Sequence, residues 1–394
     1  MRRVSLPLLL GLFACRPRAP ATEPVHDTSA TNTPARPAPR DDRVAEIAAG
    51  HEITCARMFD GSVRCWGQYF GAPEEESFHK RTSLPTPRPD LGLATRIAVI
   101  GDIACVWGQD GRMRCRGAAR RVVPAAFVND ALADVVEVSG AGGSYCLRRG
   151  DGVSRCVGNN HHGQLGPESV LDRVEEFVSP HELGLVAQIA CGGEHTCARM
   201  PDGTARCWGE DDRGRDGFGL SGVLHPSVLF EAEALVDLAA GALLTCAIRD
   251  DTSLRCWSHL RIDNTSGERH RLQPVLGVTG AVDVGIGDAH ACVLLQDGSV
   301  RCWGSDEFGQ LGDGVDADAP RHWCRSFEKE SEHCRSTPVT VADLHDAVAI
   351  AVGSDHTCAL TRTHAVRCWG RNDGRLGDGS DEDRHAPVEP LWGP

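Results

Sequence analysis

The sequence predicts an all-β fold, a seven-bladed β-propeller of four-stranded blades, on three observations. Seven pairs of cysteines recur with nine residues between partners, and the first members of successive pairs lie 50, 41, 51, 49, 46 and 66 residues apart. An arginine immediately precedes the second cysteine of every pair, and four copies read Arg-Cys-Trp-Gly in full. A proline-containing segment follows each pair. A repeat of this length is typical of propellers and solenoids, whose units cannot bury their apolar faces alone.

The first part of the chain predicts export. Arg2 and Arg3 precede a short apolar run over residues 4–14, which is typical of a secretory signal peptide. The run ends in Leu-Phe-Ala-Cys and resembles the lipobox of bacterial lipoproteins, which implies lipidation of Cys15; a plain cleaved signal is the alternative. We therefore expect a signal peptide (1–14), a lipidated, proline-rich tether (15–42) and a propeller (43–394). The expected location is the bacterial cell envelope: the outer membrane, the periplasm or the cell surface, with the lipid as the only membrane anchor.

Each repeat contains a β-hairpin. In the sixth copy, strands are predicted over 281–284, 290–295 and 300–303, and Asp297-Gly298 forms the tight turn between the last two. The two cysteines of a copy lie symmetrically about such a turn and face each other, so a disulfide is expected in each hairpin. A zinc site is the weaker alternative, because close Cys-x-x-Cys pairs are absent. The predicted disulfides are Cys55–Cys65, Cys105–Cys115, Cys146–Cys156, Cys197–Cys207, Cys246–Cys256, Cys292–Cys302, Cys358–Cys368 and, in an insertion, Cys324–Cys334.

The fourth strand of each blade is expected to be an edge strand, because proline cannot donate to a β-ladder. The prolines concerned are Pro89, Pro124, Pro180, Pro226, Pro274, Pro338 and Pro387. No proline strand precedes the first hairpin, whereas one follows the last hairpin at 387–391. We therefore predict that this C-terminal strand joins the first blade and closes the ring.

Two segments of the last repeat carry a family resemblance. Residues 353–360 read Gly-Ser-Asp-His-Thr-Cys-Ala-Leu, and residues 367–377 read Arg-Cys-Trp-Gly-Arg-Asn-Asp-Gly-Arg-Leu-Gly. Together with Gly-Gln-Leu-Gly at 163–166 and 309–312, they resemble the repeat of the regulator-of-chromosome-condensation family. The resemblance covers about 44–391 and implies a seven-bladed propeller, and the paired cysteines look like those of its exported bacterial branch. Copies two and five depart from the repeat, with Arg116 for the tryptophan and Ser258 for the glycine.

The resemblance leaves the function open. The founder of the family is a nuclear guanine-nucleotide exchange factor on chromatin, whereas this chain has a formal charge of −14 and no basic arm, so no nucleic-acid partner is expected. Other relatives are protein-binding platforms, including a secreted bacterial propeller that inhibits β-lactamases. An inhibitor of an exported hydrolase is therefore an alternative within the binding class.

Residues with catalytic or metal-binding chemistry are few, and each has a structural interpretation. His195, His290 and His356 each lie two residues before a hairpin cysteine, where a hydrogen-bonded structural histidine is favoured over a metal ligand or a base. Cys191 is expected to be a buried unpaired thiol rather than a reactive one. Calcium binding by the aspartates at 313, 316 and 318 is a weaker alternative to solvated turns, because no EF-hand loop is present. No catalytic residue, metal or cofactor is predicted; an enzyme with its site at the central channel is the remaining alternative.

Two insertions interrupt the repeat and carry the candidate partner-binding residues. Residues 313–337 contain Trp323, Arg325 and Phe327, and residues 69–86 contain Phe70 and Phe78. Both insertions follow the third strand of their blade, so both are expected on one propeller face. Exposed aromatic and arginine side chains are typical of interaction hot spots. The sequence therefore predicts a monomeric, non-catalytic envelope scaffold that binds a protein, with a glycan as a second class of ligand and decorative loops as the alternative.

Overall fold

Seven four-stranded antiparallel sheets make up the computed structural model of the chain, and the prediction of a seven-bladed β-propeller is confirmed. The structure describes residues 43–69, 80–117, 132–166, 172–209, 223–228, 234–242, 244–258, 273–315, 324–325, 330–331 and 333–392. In this part of the chain, no helix is long and apolar enough to cross a membrane.

The blades follow one another along the chain. Blade 1 contains β1 (Val44–Ala49), β2 (Ile53–Met58), β3 (Val63–Tyr69) and β4 (Lys80–Pro87), and blade 2 contains β5 (Ala94–Ile100), β6 (Ile103–Gly108), β7 (Arg112–Arg116) and β8 (Leu132–Ala133). Blade 3 contains β9 (Val135–Ala141), β10 (Ser144–Arg149), β11 (Ser154–Asn159) and β12 (Arg173–Val178), and blade 4 contains β13 (Gln188–Cys191), β14 (His195–Arg199), β15 (Ala205–Gly209) and β16 (Val223–Val228). Blade 5 contains β17 (Leu235–Ala240), β18 (Leu244–Arg249), β19 (Leu254–Ser258) and β20 (Gln273–Pro274).

Two further blades complete the ring. Blade 6 contains β21 (Ala281–Ile286), β22 (His290–Leu295), β23 (Val300–Ser305) and β26 (Cys334–Thr340), and blade 7 contains β27 (Ala347–Val352), β28 (His356–Thr361), β29 (Val366–Gly370) and β30 (Arg384–Val388). Outside the blades lie the short pair β24 (Cys324–Arg325) and β25 (Glu330–Ser331) and a 3-10 helix (Pro89–Leu91). The first strands of the blades contact one another in the cyclic order β1, β5, β9, β13, β17, β21, β27 and back to β1, so these strands surround the centre of the ring.

The C-terminal strand does not join the first blade, so the prediction of how the ring closes is wrong. Strand β30 pairs with β29 of its own blade, with Val388 opposite Cys368 and Arg384 opposite Gly370. Blade 1 has no vacant edge, because β4 lies inside the first insertion and pairs with β3. The ring closes by packing instead: apolar side chains of blades 1 and 7 share one buried cluster.

The prolines lie at blade edges, as expected, in four of the seven copies. Pro226, Pro274, Pro338 and Pro387 lie in the outermost strands of blades 4 to 7. Pro89 instead begins the 3-10 helix, and Pro180 follows the end of β12. Pro124 lies outside the described residues.

The seven predicted hairpin disulfides are confirmed. In each blade the two cysteines are directly opposite each other on the second and third strands, with Cα atoms 4.0 to 4.1 Å apart. Such a short separation is typical of the non-hydrogen-bonded positions of an antiparallel pair, where side chains approach closely. Cys334 is also disulfide-bonded, but the side chain of Cys324 lies outside the described residues, so their pairing stays a prediction.

Strand direction defines two faces of the propeller. The connections between first and second strands and between third and fourth strands lie on one face, which we call the loop face. The turns between second and third strands lie on the other face, where Asp60 accepts a hydrogen bond from the Ser62 amide at 2.8 Å and Gly61 has a φ of +84°. Both insertions connect third to fourth strands, so the described residues at which they begin and end lie on the loop face.

Candidate interaction face

The three repeat histidines join neighbouring blades. Their Nε2 atoms lie 2.6 to 2.9 Å from threonine hydroxyls of the next blade, in the pairs His195–Thr245, His290–Thr357 and His356–Thr54. All three histidines are buried. Burial lowers the pKa of His290 to about 4 and holds the pKa of His356 well below its ordinary value, so both rings are neutral at pH 7. The structural interpretation of these histidines is confirmed.

The unpaired thiol of Cys191 is buried in the packing between blades 3 and 4. The residue is 2% exposed, and its amide donates a hydrogen bond to Oγ of Ser139 at 2.8 Å. Burial raises the pKa of the Cys191 thiol to about 12. The thiolate that a nucleophile needs is therefore disfavoured at neutral pH, in agreement with the structural interpretation.

Tight turns of the loop face seal three of the junctions between blades. Residues 163–166, 309–312 and 374–377 share the pattern Gly-x-Leu-Gly, and their leucines are fully buried. The carbonyl of Gln164 accepts hydrogen bonds from Oγ1 of Thr196 and from Nε1 of Trp208, both at 2.8 Å. The carbonyl of Gln310 accepts from Nε1 of Trp369 at 3.0 Å. Each turn therefore provides the next blade with an acceptor and an apolar side chain.

Arg375 replaces the glutamine of this turn at the junction between blades 7 and 1. Its carbonyl accepts a hydrogen bond from Thr54, and its Nη1 donates to the carbonyl of His51 at 3.2 Å. Its Nη2 lies 3.7 Å from Oε1 of Glu52 and 3.4 Å from Oδ2 of Asp373. Burial lowers the pKa of the guanidinium, and the carboxylates partly oppose that shift. Arg375 thus ties the loop face of blade 7 to the first turn of blade 1.

A second arginine extends this charged cluster over the surface. Nε of Arg371 donates to Oδ2 of Asp373 at 2.8 Å, and its Nη1 lies 3.5 Å from Oδ2 of Asp355. The guanidinium also lies over the ring of Phe308, 4.9 Å from its centre, in the geometry of a cation–π contact. Phe308 and Arg371 are half-buried, so part of this contact faces solvent.

Further carboxylates surround the same part of the face. Burial raises the pKa of Asp288, and the nearby Asp355 raises it further. Burial also raises the pKa of Asp102, whose Oδ1 lies 3.9 Å from Nδ1 of His51. Together with Glu52 and Asp373, the carboxylates of Asp288, Asp355 and Asp102 outnumber the neighbouring guanidinium groups of Arg81, Arg371 and Arg375. The loop face around blades 6, 7, 1 and 2 therefore has an acidic character.

Most of the predicted partner-binding residues lie outside the described part of the chain. Phe70, Phe78, Trp323 and Phe327 fall outside the described residues, as does Cys15. Arg325 lies in β24, which pairs with β25, but its side chain is not among those described. The predicted role of these residues stays a prediction.

The base of the second insertion is anchored to blade 6. Nη2 of Arg335 lies 3.7 Å from Oδ2 of Asp313, and Asp313 also accepts a hydrogen bond from the Val315 amide at 3.0 Å. The calcium interpretation of this segment gains no support, since no group of three metal-ligating side chains occurs among the described residues. Asp316 and Asp318 lie outside them.

The arrangement of these residues was only partly accessible to sequence reasoning. Arg371 and Arg375 belong to the repeat motif, but the sequence does not show that Arg375 contacts Glu52, more than 320 residues away. The one available signal was that Arg375 replaces the glutamine present in two other copies.

Comparison with known proteins agrees with the propeller fold and its repeats. A family model described as the regulator of chromosome condensation (RCC1) repeat matches residues 186–215, 281–310 and 347–374, and a second with the same description matches residues 297–360. The chain therefore contains repeats of the RCC1 type, and blades 4, 6 and 7 carry the matched ones.

Solved structures with the same fold come from animals, fungi and plants. The chain is similar to human WBSCR16 (20% identity over 90% of this chain and 83% of that chain, TM-score 0.56). It is also similar to Prp20p of Saccharomyces cerevisiae (17% identity, 89% and 78%, TM-score 0.57), whose structure was described with its binding to Gsp1p and histones. A third is the ectodomain of the receptor kinase CR4 of Physcomitrella patens (15% identity, 83% and 74%, TM-score 0.50). At these identities the similarity concerns the fold alone.

Proposed function

We propose that this RCC1-repeat propeller is a non-catalytic scaffold of the cell envelope that binds a protein partner through its loop face. The observation that carries the proposal is the acidic loop face. The charged cluster of Arg371, Arg375 and Asp373 lies in blade 7, between blades 6 and 1, whose third and fourth strands the two insertions connect. A surface with one prevailing sign of charge steers association with a partner of opposite charge and favours specific pairing.

The chemistry of the face favours a partner with a basic patch. Asp102 and Asp288 have raised pKa values because they are partly removed from water, and a cation of a partner would stabilise both in the ionised form. Association should therefore weaken as the salt concentration rises, since the attraction between exposed charges is screened within about 10 Å at 0.1 M salt. An exported hydrolase inhibited by this face is one form of such a partner.

Envelope attachment through Cys15 is part of the same proposal. The seven disulfides support an oxidising compartment, where such bonds persist. Labelling of cells with an alkyne fatty acid should tag the full chain, and Cys15→Ser should abolish the tag while leaving the propeller folded. Equal labelling of the Cys15→Ser variant would contradict lipidation at this position.

The loop face is tested by capture of partners on the purified, immobilised protein. One variant replaces residues 316–332 with a Gly-Ser linker and carries Cys334→Ser, which retains β26 as the fourth strand of blade 6. A second variant, Arg371→Glu with Asp373→Arg, changes the charge pattern of the face. The matched control is Arg112→Glu on blade 2, next to the turn between second and third strands on the opposite face. We expect both loop-face variants to lose a protein that the wild type and the control capture; equal capture by all four would overturn the proposal.

A further inference from the structure

We draw no further inference here: the strongest candidate, the group of exposed valines Val236, Val282 and Val348 where the first strands of blades 5 to 7 begin around the centre of the face opposite the loop face, carries nothing, because no described residue or contact shows what covers it.

Discussion

Nε2 of His356 lies 2.7 Å from Oγ1 of Thr54, and this contact joins the last blade to the first across 302 residues of sequence. The Thr54 hydroxyl donates to the carbonyl of Arg375 at 3.0 Å, so it accepts from the Nε2–H of the histidine. The contact therefore fixes the tautomer of His356. It also replaces the strand exchange that the sequence had predicted for closing the ring.

Thr54→Val removes this hydroxyl while keeping the shape of the side chain. Two buried groups, the His356 ring and the Arg375 carbonyl, then lose their partner, which should lower the free energy of unfolding by about 1–3 kcal/mol. Urea denaturation of the oxidised protein measures the change. Thr340→Val, at an exposed position of an edge strand, serves as the control and should change stability by less than about 0.5 kcal/mol. A Thr54→Val variant as stable as this control would show that the contact does not hold the ring closed.

Trp369→Phe and Trp303→Phe should have unequal effects on stability. Trp369 loses its hydrogen bond to the Gln310 carbonyl, so that variant should be destabilised by about 1–2 kcal/mol beyond the cost of the smaller ring. Trp303 has no described acceptor to lose, so its replacement should cost only the change in packing. Thermal unfolding of both variants provides the comparison. Equal losses in the two would contradict the role given to the sealing turn.

Asp283→Asn should stabilise the protein at neutral pH but not in acid. Burial, with Asp237 nearby, raises the pKa of Asp283 to about 6 in the folded protein, whereas the unfolded chain releases this proton near pH 3.8. Between these values the folded state binds more protons, so the contribution of Asp283 to stability falls as pH rises and stays unfavourable above pH 6. Asparagine keeps an oxygen that can accept the Ile350 amide hydrogen bond and removes the charge.

The expected gain for Asp283→Asn is about 1–3 kcal/mol at pH 7, diminishing towards zero below pH 4. Chemical denaturation at several pH values measures the difference between variant and wild type. Asp250→Asn, at an exposed position, is the control and should give a small difference that does not vary with pH. A gain for Asp283→Asn that is the same at pH 4 and pH 7 would be inconsistent with the raised pKa.

The Cys191 thiol should resist alkylation in the native protein. It is buried and its pKa is raised to about 12, so modification requires unfolding of blade 4 or of the whole ring. Iodoacetamide at pH 8, followed by mass spectrometry of the peptide that contains Cys191, should detect modification only after denaturant is added without reductant. Rapid native modification would show that this part of blade 4 opens far more readily than its packing indicates.

The number of blades was predicted from local sequence patterns. The wrong prediction concerned the pairing of the last strand, which depends on residues distant in sequence. The cysteine spacing and the Asp-Gly turns act within one hairpin, and seven copies of the cysteine pair predicted seven blades. The partner of the last strand depends on whether blade 1 has a vacant edge. Its fourth strand, Lys80–Pro87, lies within the first insertion, and the sequence interpretation assigned that role to the segment around Pro89.

The contacts of the candidate sites were harder to predict from the sequence, because the residues that form them lie in different repeats. The histidines at 195, 290 and 356 were identified as structural, but their threonine partners lie in other repeats. The sequence alone does not show which threonine each histidine contacts, because the pairs form only when neighbouring blades pack together.

None of the described strands is shared between blades, so no junction between blades is distinguished by an exchanged strand. Every sheet is formed by one continuous stretch of sequence, and the junction of blades 7 and 1 is a side-chain interface like the others. Each sheet can therefore form from a recently synthesised segment, without waiting for the chain ends to meet. A circular permutant with new ends between any two blades would keep all seven sheets intact, and whole blades can be duplicated or lost in evolution without breaking a ladder.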